Sequence, residues 1–256
     1  MNSLRLEWKN EAPPGWIHAG CLLPETLCPV PLSDIARRRI SCGRTRYELG
    51  DLFQIIEIGS SARPYLTVEG HRRFVSLGGR MTEGVLEVEG SAGSLLGVGM
   101  SGGEISVSGD AGTSTGAGMT GGLISVDGDV GDEAGGPAPG ETRGMSGGEI
   151  VVRGDAGAGA GFALRRGLVA IAGKAGPGCA NSLLAGTIVI GRGSLSESAR
   201  GVQRGTIVLL DPSAEVPEGF GADSESNPVF WRVLHRRLEE LDFPIERPSL
   251  DAQFRS

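Results

Sequence analysis

A fourteen-residue phrase, GMSGGEISVSGDAG at residues 99–112, returns almost unchanged as GMSGGEIVVRGDAG at residues 144–157. With the Met of each phrase as an anchor, seven copies align, at Met81, Met100, Met119, Met145, Leu164, Leu183 and Val202, spaced by 19, 19, 26, 19, 19 and 19 residues. A glycine stands three residues after every anchor: Gly84, Gly103, Gly122, Gly148, Gly167, Gly186 and Gly205. An aliphatic residue always stands five after it (Leu86, Ile105, Ile124, Ile150, Val169, Ile188, Ile207) and another seven after it (Val88, Val107, Val126, Val152, Ile171, Ile190, Leu209). Self-similarity at a fixed period of roughly 20 residues is the signature of a stacked repeat, and it constrains the fold more tightly than any other feature of the chain.

Nineteen residues are too few for a helical hairpin, and the aliphatic pair alternates with its neighbours as in Glu104-Ile105-Ser106-Val107-Ser108. Alternation turns one side of a short strand inward. The flanking glycines permit the sharp, positive-φ corners that a Cβ would obstruct. A single such strand cannot bury its apolar side alone, whereas stacked copies can. The expected fold is mainly β: a single-stranded parallel β-helix, or β-solenoid, of about seven coils over residues 76–212. Residues 1–75 lack the repeat and are expected to cap one end. Residues 213–256 form a tail with a helix over 227–241, in which Asn227 is the N-cap, Pro228 fits the first turn, and Phe230, Val233 or Leu234, Leu238 and Leu241 share one side.

The outward positions change along the repeat. Early coils show Glu104, Ser106, Ser108, Ser125 and Asp127, whereas later coils show Leu168, Ala170, Ala172, Val189, Val208 and Leu210. An apolar stripe of this size calls for cover, from the chain's own ends or from a partner. Leu168, Val189, Val208, Phe230 and Leu234 are the partner-facing candidates. The long interval carries seven extra residues within DEAGGPAPGETR, read as a loop leaving one corner, either for interaction or as a passive bulge.

Glycine accounts for 44 of 256 residues, well above the usual ~7%, without the Gly-X-Y triplet of collagen. Ile, Val and Leu recur at fixed positions, which argues against disorder. The net charge of −7 gives no indication of a nucleic-acid or anionic-membrane surface, and no run of residues is suited to a signal peptide or a membrane span. The four cysteines make no C-x-x-C pair, so the chain is expected in the cytoplasm with reduced thiols.

Several motifs dissolve on inspection. Gly97-Val-Gly99-Met-Ser-Gly102 matches the dinucleotide fingerprint but recurs at the repeat period and is followed by a strand where a helix is required. Asp110, Asp129 and Asp155 occupy equivalent corners, where aspartate is an ordinary turn residue and the repeat length does not suit a calcium roll. His18, Cys21 and Cys28 fit no common zinc spacing. Nothing pairs His71 or His235 with a nucleophile, so no catalytic residue and no metal ligand is assigned. Arginine clusters stand out in this acidic chain: Arg37-Arg38-Arg39, Arg72-Arg73, Arg165-Arg166 and Arg236-Arg237. Arginine suits bidentate binding of carboxylates, although surface charge or salt bridges between subunits is the more ordinary account of such clusters.

The repeat G-[ML]-x-x-G-x-[IVL]-x-[IV] resembles the β-helical repeat shared by the glutamate synthase C-terminal domain and the C subunit of formylmethanofuran dehydrogenase. The expansion ending in ETRGMSGG, and Leu49-Gly50-Asp51-Leu52-Phe53 ahead of the repeats, resemble the second of these over about residues 4–210. The arginine-rich composition resembles the bacterial version, from formyltransferase/hydrolase complexes. That resemblance implies a scaffold subunit of a cytoplasmic complex in one-carbon metabolism, passing a formyl group from tetrahydromethanopterin to a methanofuran-type carrier and hydrolysing it to formate. It implies a hetero-oligomer with amidohydrolase-like, formyltransferase and dehydrogenase-B-like subunits, with zinc on a partner and no covalently bound cofactor on this chain. The carrier's polyglutamate tail would give Arg72, Arg73, Arg165 and Arg166 a ligand. The alternatives are the C subunit of a formylmethanofuran dehydrogenase, or a glutamate synthase-like structural domain.

Overall fold

The computed structural model describes residues 2–195, 197–215, 225–226, 229–245 and 254–255. It is a β-solenoid of about eight turns with a helix laid along its outer side. One strand per coil forms a continuous parallel ladder: β6 (Tyr65–Val75), β7 (Val85–Ser94), β8 (Glu104–Val107), β9 (Thr120–Val126), β10 (Ser146–Val152), β11 (Arg166–Ile171), β12 (Thr187–Ile190) and β13 (Thr206–Leu209). The register is the one the repeat dictates, pairing Ile105 with Ile124, Ile124 with Ile150, Ile150 with Val169 and Val169 with Ile188. The long interval therefore loops out between β9 and β10 without shifting the alignment.

The core is a set of columns. The first six anchors, Met81 through Leu183, are fully buried, as are most of the aliphatic pairs. A further inward column stands eleven residues after the anchors, at Ala92, Ala111, Val130 and Ala156, and isolated parallel bridges join Ala111 to Val130 and Val130 to Ala156. Six of the corner glycines, Gly84 through Gly186, have φ between +83 and +105. At Gly205 the constraint is space instead, since a Cβ there would lie 2.1 Å from Leu183 Cδ2.

Toward the N-terminus the stack extends beyond the recognisable repeat. Leu66 and Val68 of β6 stack on Leu86 and Val88, and β1 (Asn2–Trp8) adds Leu4 and Leu6 beneath them in parallel register. β2 (Ile17–His18) joins the far end of β6 through Ile17 and Phe74. Three further strands are antiparallel: β3 (Arg39–Cys42) on β2, β4 (Thr45–Glu48) on β3, and β5 (Phe53–Ser60) on β1. Short helices α1 (Pro24–Leu27), α2 (Leu32–Ala36) and α3 (Leu49–Leu52) fill the spaces, α3 opening with a capping box of Glu48 and Asp51. The Trp8 ring packs 4.2 Å from Phe53 and 5.8 Å from Phe74.

The C-terminal helix α4 spans Val229–Glu240, while the expected cap Asn227 and Pro228 lie outside the described residues. Trp231, Leu234 and Leu238, with Leu241 and Phe243 beyond the helix, pack on Val151, Leu168, Ala170 and Val189 in a second core separate from the first. The outer apolar stripe is thus covered by the chain itself. Burying each such side chain contributes roughly 2 kcal/mol before the cost of ordering the helix.

Candidate functional site

The expected site residues fall in three places. Arg165 and Arg166 are exposed at the corner that opens the β11 coil, one and two residues after Leu164. That corner is pinned by the backbone: Arg165 N–H donates to Met145 O at 2.9 Å, as Leu184 N–H does to Leu164 O one coil later. Two more arginines converge there. Arg143 comes from the end of the inserted loop, and Arg204 comes from the β13 coil. With Leu184, Ala185 and Gln203 they line an open cleft of about 340 Å³. Arg166 and Arg204 hold the same position two coils apart, roughly 10 Å at the strand spacing, with Ala185 leaving a gap between them. None of these four guanidinium groups makes an ion pair among the described residues.

Four fixed positive charges facing an open cleft can take a ligand that carries several carboxylates, because each guanidinium offers a planar fork of donors. Arg143 and Arg204 were not singled out from the sequence. Arg204 was findable, since it sits two residues after its anchor just as Arg166 does. Arg143 was not, because only the folded loop carries it to that corner.

Arg72 and Arg73 lie elsewhere, on β6, five ladder steps from β11. Arg72 pairs with Asp110 at 3.0 Å. Arg73 donates to Ala12 O at 3.0 Å and to the His71 ring at 3.5 Å, and burial together with Arg73 holds the His71 pKa below its ordinary value.

Of the partner-facing candidates, Leu168, Val189 and Leu234 face one another inside the second core, and Val208 is half-buried against it. These four are a correction to the expectation of a partner surface: α4 belongs to the same chain and satisfies the stripe first. Phe230 is 44% exposed, at the edge of the α4 face that buries Leu234.

A second groove, of about 570 Å³, runs beside α4 over the glycine corners Gly103, Gly122, Gly148 and Gly167. At its wall Arg237 makes a bidentate bond to Glu149, at 2.9 and 2.5 Å, and a bond to Glu240 at 2.9 Å. The Glu149 and Glu240 contacts raise the Arg237 pKa further, and Arg237 in turn lowers that of Glu240.

The corner aspartates are structural. Asp110, Asp129 and Asp155 each accept the N–H of the next coil, from Asp129, Asp155 and Lys174, at 3.1, 2.7 and 2.7 Å. Cys28 donates its thiol hydrogen to Tyr65 O at 3.3 Å, and His18 is exposed. Among the described residues no three His, Cys, Asp or Glu side chains gather in a way that could hold a metal, and no helix is long and apolar enough to cross a membrane.

No protein-family model and no curated protein matches the chain. A solved structure does: the chain is similar to a chain of the formyltransferase/hydrolase complex (FhcABCD) from Methylorubrum extorquens in complex with methylofuran, at 32% identity and a TM-score of 0.83, over 94% of this chain and 89% of that one.

Proposed function

This chain belongs to the C-subunit family of bacterial formyltransferase/hydrolase complexes, and on that premise we propose that it is the scaffold subunit of such a complex. In this reading it holds amidohydrolase-like, formyltransferase and dehydrogenase-B-like partners in place. The assembly transfers a formyl group from formyl-tetrahydromethanopterin to a methanofuran-type carrier and releases formate, in a one-carbon pathway serving methylotrophy. The zinc and the reacting groups belong to the partners. The likeness over nearly the whole of both chains carries the proposal.

The arginine cleft gives the chain a direct part in handling the carrier. A polyglutamate tail presents carboxylates in series, and Arg165, Arg166, Arg143 and Arg204 present guanidinium groups with no ion-pair partner among the described residues. Arg72 and Arg73 would offer a second, weaker point of attachment, because both are already engaged within the chain.

The test is to isolate the tagged chain from its own host, identify what co-purifies by mass spectrometry, and assay formate release from the formylated carrier. Co-purification of a formyltransferase and an amidohydrolase-like protein with formate release supports the reading. A chain recovered alone and inert refutes it. The cleft is tested separately by reversing the charge of both Arg165 and Arg166, which should abolish retention of the carrier while the subunits still assemble. Unchanged carrier retention would remove the cleft from the proposal.

A further inference from the structure

The two ends of the ladder are finished differently. At the N-terminal end the edge strands are protected. β4 is short and carries Arg46 and Glu48, and β5 carries Glu57 and has a bulge where it passes Ser3 and Leu4. The other end is β13, Thr206-Ile207-Val208-Leu209, with no charge, no proline and no bulge.

The repeat register shows which groups this edge leaves open. One coil earlier, Gly186 O accepts from Thr206 N at 2.8 Å and Ile190 O from Leu210 N at 2.9 Å. Peptide groups three, five and seven residues after each anchor therefore face the following coil, because successive peptides along a strand point to opposite sides. In the last coil these are the groups of Gly205, Ile207 and Leu209, and among the described residues nothing pairs with them. The side chains tell the same story. Ile188 and Ile190 are 0% and 2% exposed, whereas Ile207 and Leu209 are only half-buried.

The same end carries apolar surface from α4. Arg237 bonds to Glu149 on β10, so the helix can reach Val208 and Leu210 only with its N-terminal half. That half leaves Val229, Phe230 and Val233 exposed.

We propose that this end docks on the same end of a second copy of the chain, with the two β13 strands antiparallel about a two-fold axis at Ile207. The register is self-complementary. Centring the axis on Ile207 makes Ile207 of the two copies a hydrogen-bonded pair and sets Gly205 opposite Leu209, so every outward-facing peptide finds a partner. Inward side chains then meet inward ones, closing the open core. The charges agree as well: Arg204 stands just before β13 and Asp211 just after it, so antiparallel strands bring each Arg204 toward the Asp211 of the other copy. The inference does not rest on the function proposed above, although Arg204 also lines the arginine cleft.

The axis is directly testable. An antiparallel hydrogen-bonded pair has its Cα atoms about 5.5 Å apart, inside the disulfide range, whereas Thr206 would stand opposite Val208 and more than about 7 Å from its own copy. The purified full-length chain should sediment as a dimer. Ile207→Cys should cross-link to itself under mild oxidation, read by peptide mapping, and Thr206→Cys should not. Ile207→Glu should give a monomer with an unchanged circular dichroism spectrum. A monomeric wild-type chain overturns the proposal. A dimer in which Cys at 207 does not self-link, or Cys at 206 does, overturns it too.

Discussion

Two glycines make a matched pair for testing what the corners require. Gly140 in the inserted loop and Gly148 at the β10 corner share a φ of +88°. A Cβ at Gly140 would meet nothing within 4 Å. A Cβ at Gly148 would lie 2.6 Å from Met119 Cε, 2.8 Å from Gly122 O and 2.9 Å from Gly121 C. The methionine tip can move, but the carbonyl belongs to the adjoining coil, whose position is fixed by the ladder on both sides. Gly140→Ala carries only the positive-φ strain of about 1–2 kcal/mol, partly offset by about 0.5–1 kcal/mol from a less flexible unfolded chain. Its net cost is near 1 kcal/mol. Gly148→Ala adds an overpacking penalty of about 2–3 kcal/mol, for a total near 3–4 kcal/mol. At about 3 °C per kcal/mol for a chain of this size, the expected falls in Tm are about 3 °C and about 10 °C. Differential scanning calorimetry of the two variants measures both. Equal falls would refute the idea that the close approach of coils is what demands glycine at these corners.

Leu238 is fully buried in the second core, so Leu238→Ala should cost about 2–5 kcal/mol, felt as loss of amide protection in α4 while the ladder stays protected. Hydrogen exchange read by mass spectrometry separates that outcome from global unfolding. The hydrogen bond from Arg237 depresses the Glu240 pKa, so its contribution is complete above the ordinary glutamate range and fades as pH falls through the lower folded value. In a variant keeping Trp231 as its sole tryptophan, emission should therefore shift to the red on acidification below about pH 4, and replacing Glu240 with Gln should blunt the shift. Burial pushes the Cys179 thiol up to about 12, so iodoacetamide should leave it unmodified in the native protein and alkylate it once the chain is unfolded. Labelling of Cys179 at the rate of an exposed thiol would contradict its place in the core.

The solenoid is written in the repeat. A fixed period, a glycine at each corner and an aliphatic pair two apart act between neighbouring coils, so the same local rule repeated gives strand direction, register and core columns together. Position in the repeat also brought Arg165 and Arg166 to a corner, and a similar reading would have added Arg204. Other features depend on docking between segments that share no period, and these emerge with the folded chain. The N-terminal strands join the ladder because Leu4 and Leu6 fit beneath Leu66 and Val68, although Ser61 and Pro64 replace the usual anchor and corner glycine. Of the two covers open to the apolar stripe, the chain's own end or a partner, helix α4 supplies the first, through contacts such as Arg237 to Glu149, which are 88 residues apart. Arg143 reaches the arginine cleft only because the inserted loop returns to its coil at that corner. Periodicity fixes what touches the next coil, and long-range burial fixes what lies on the outside.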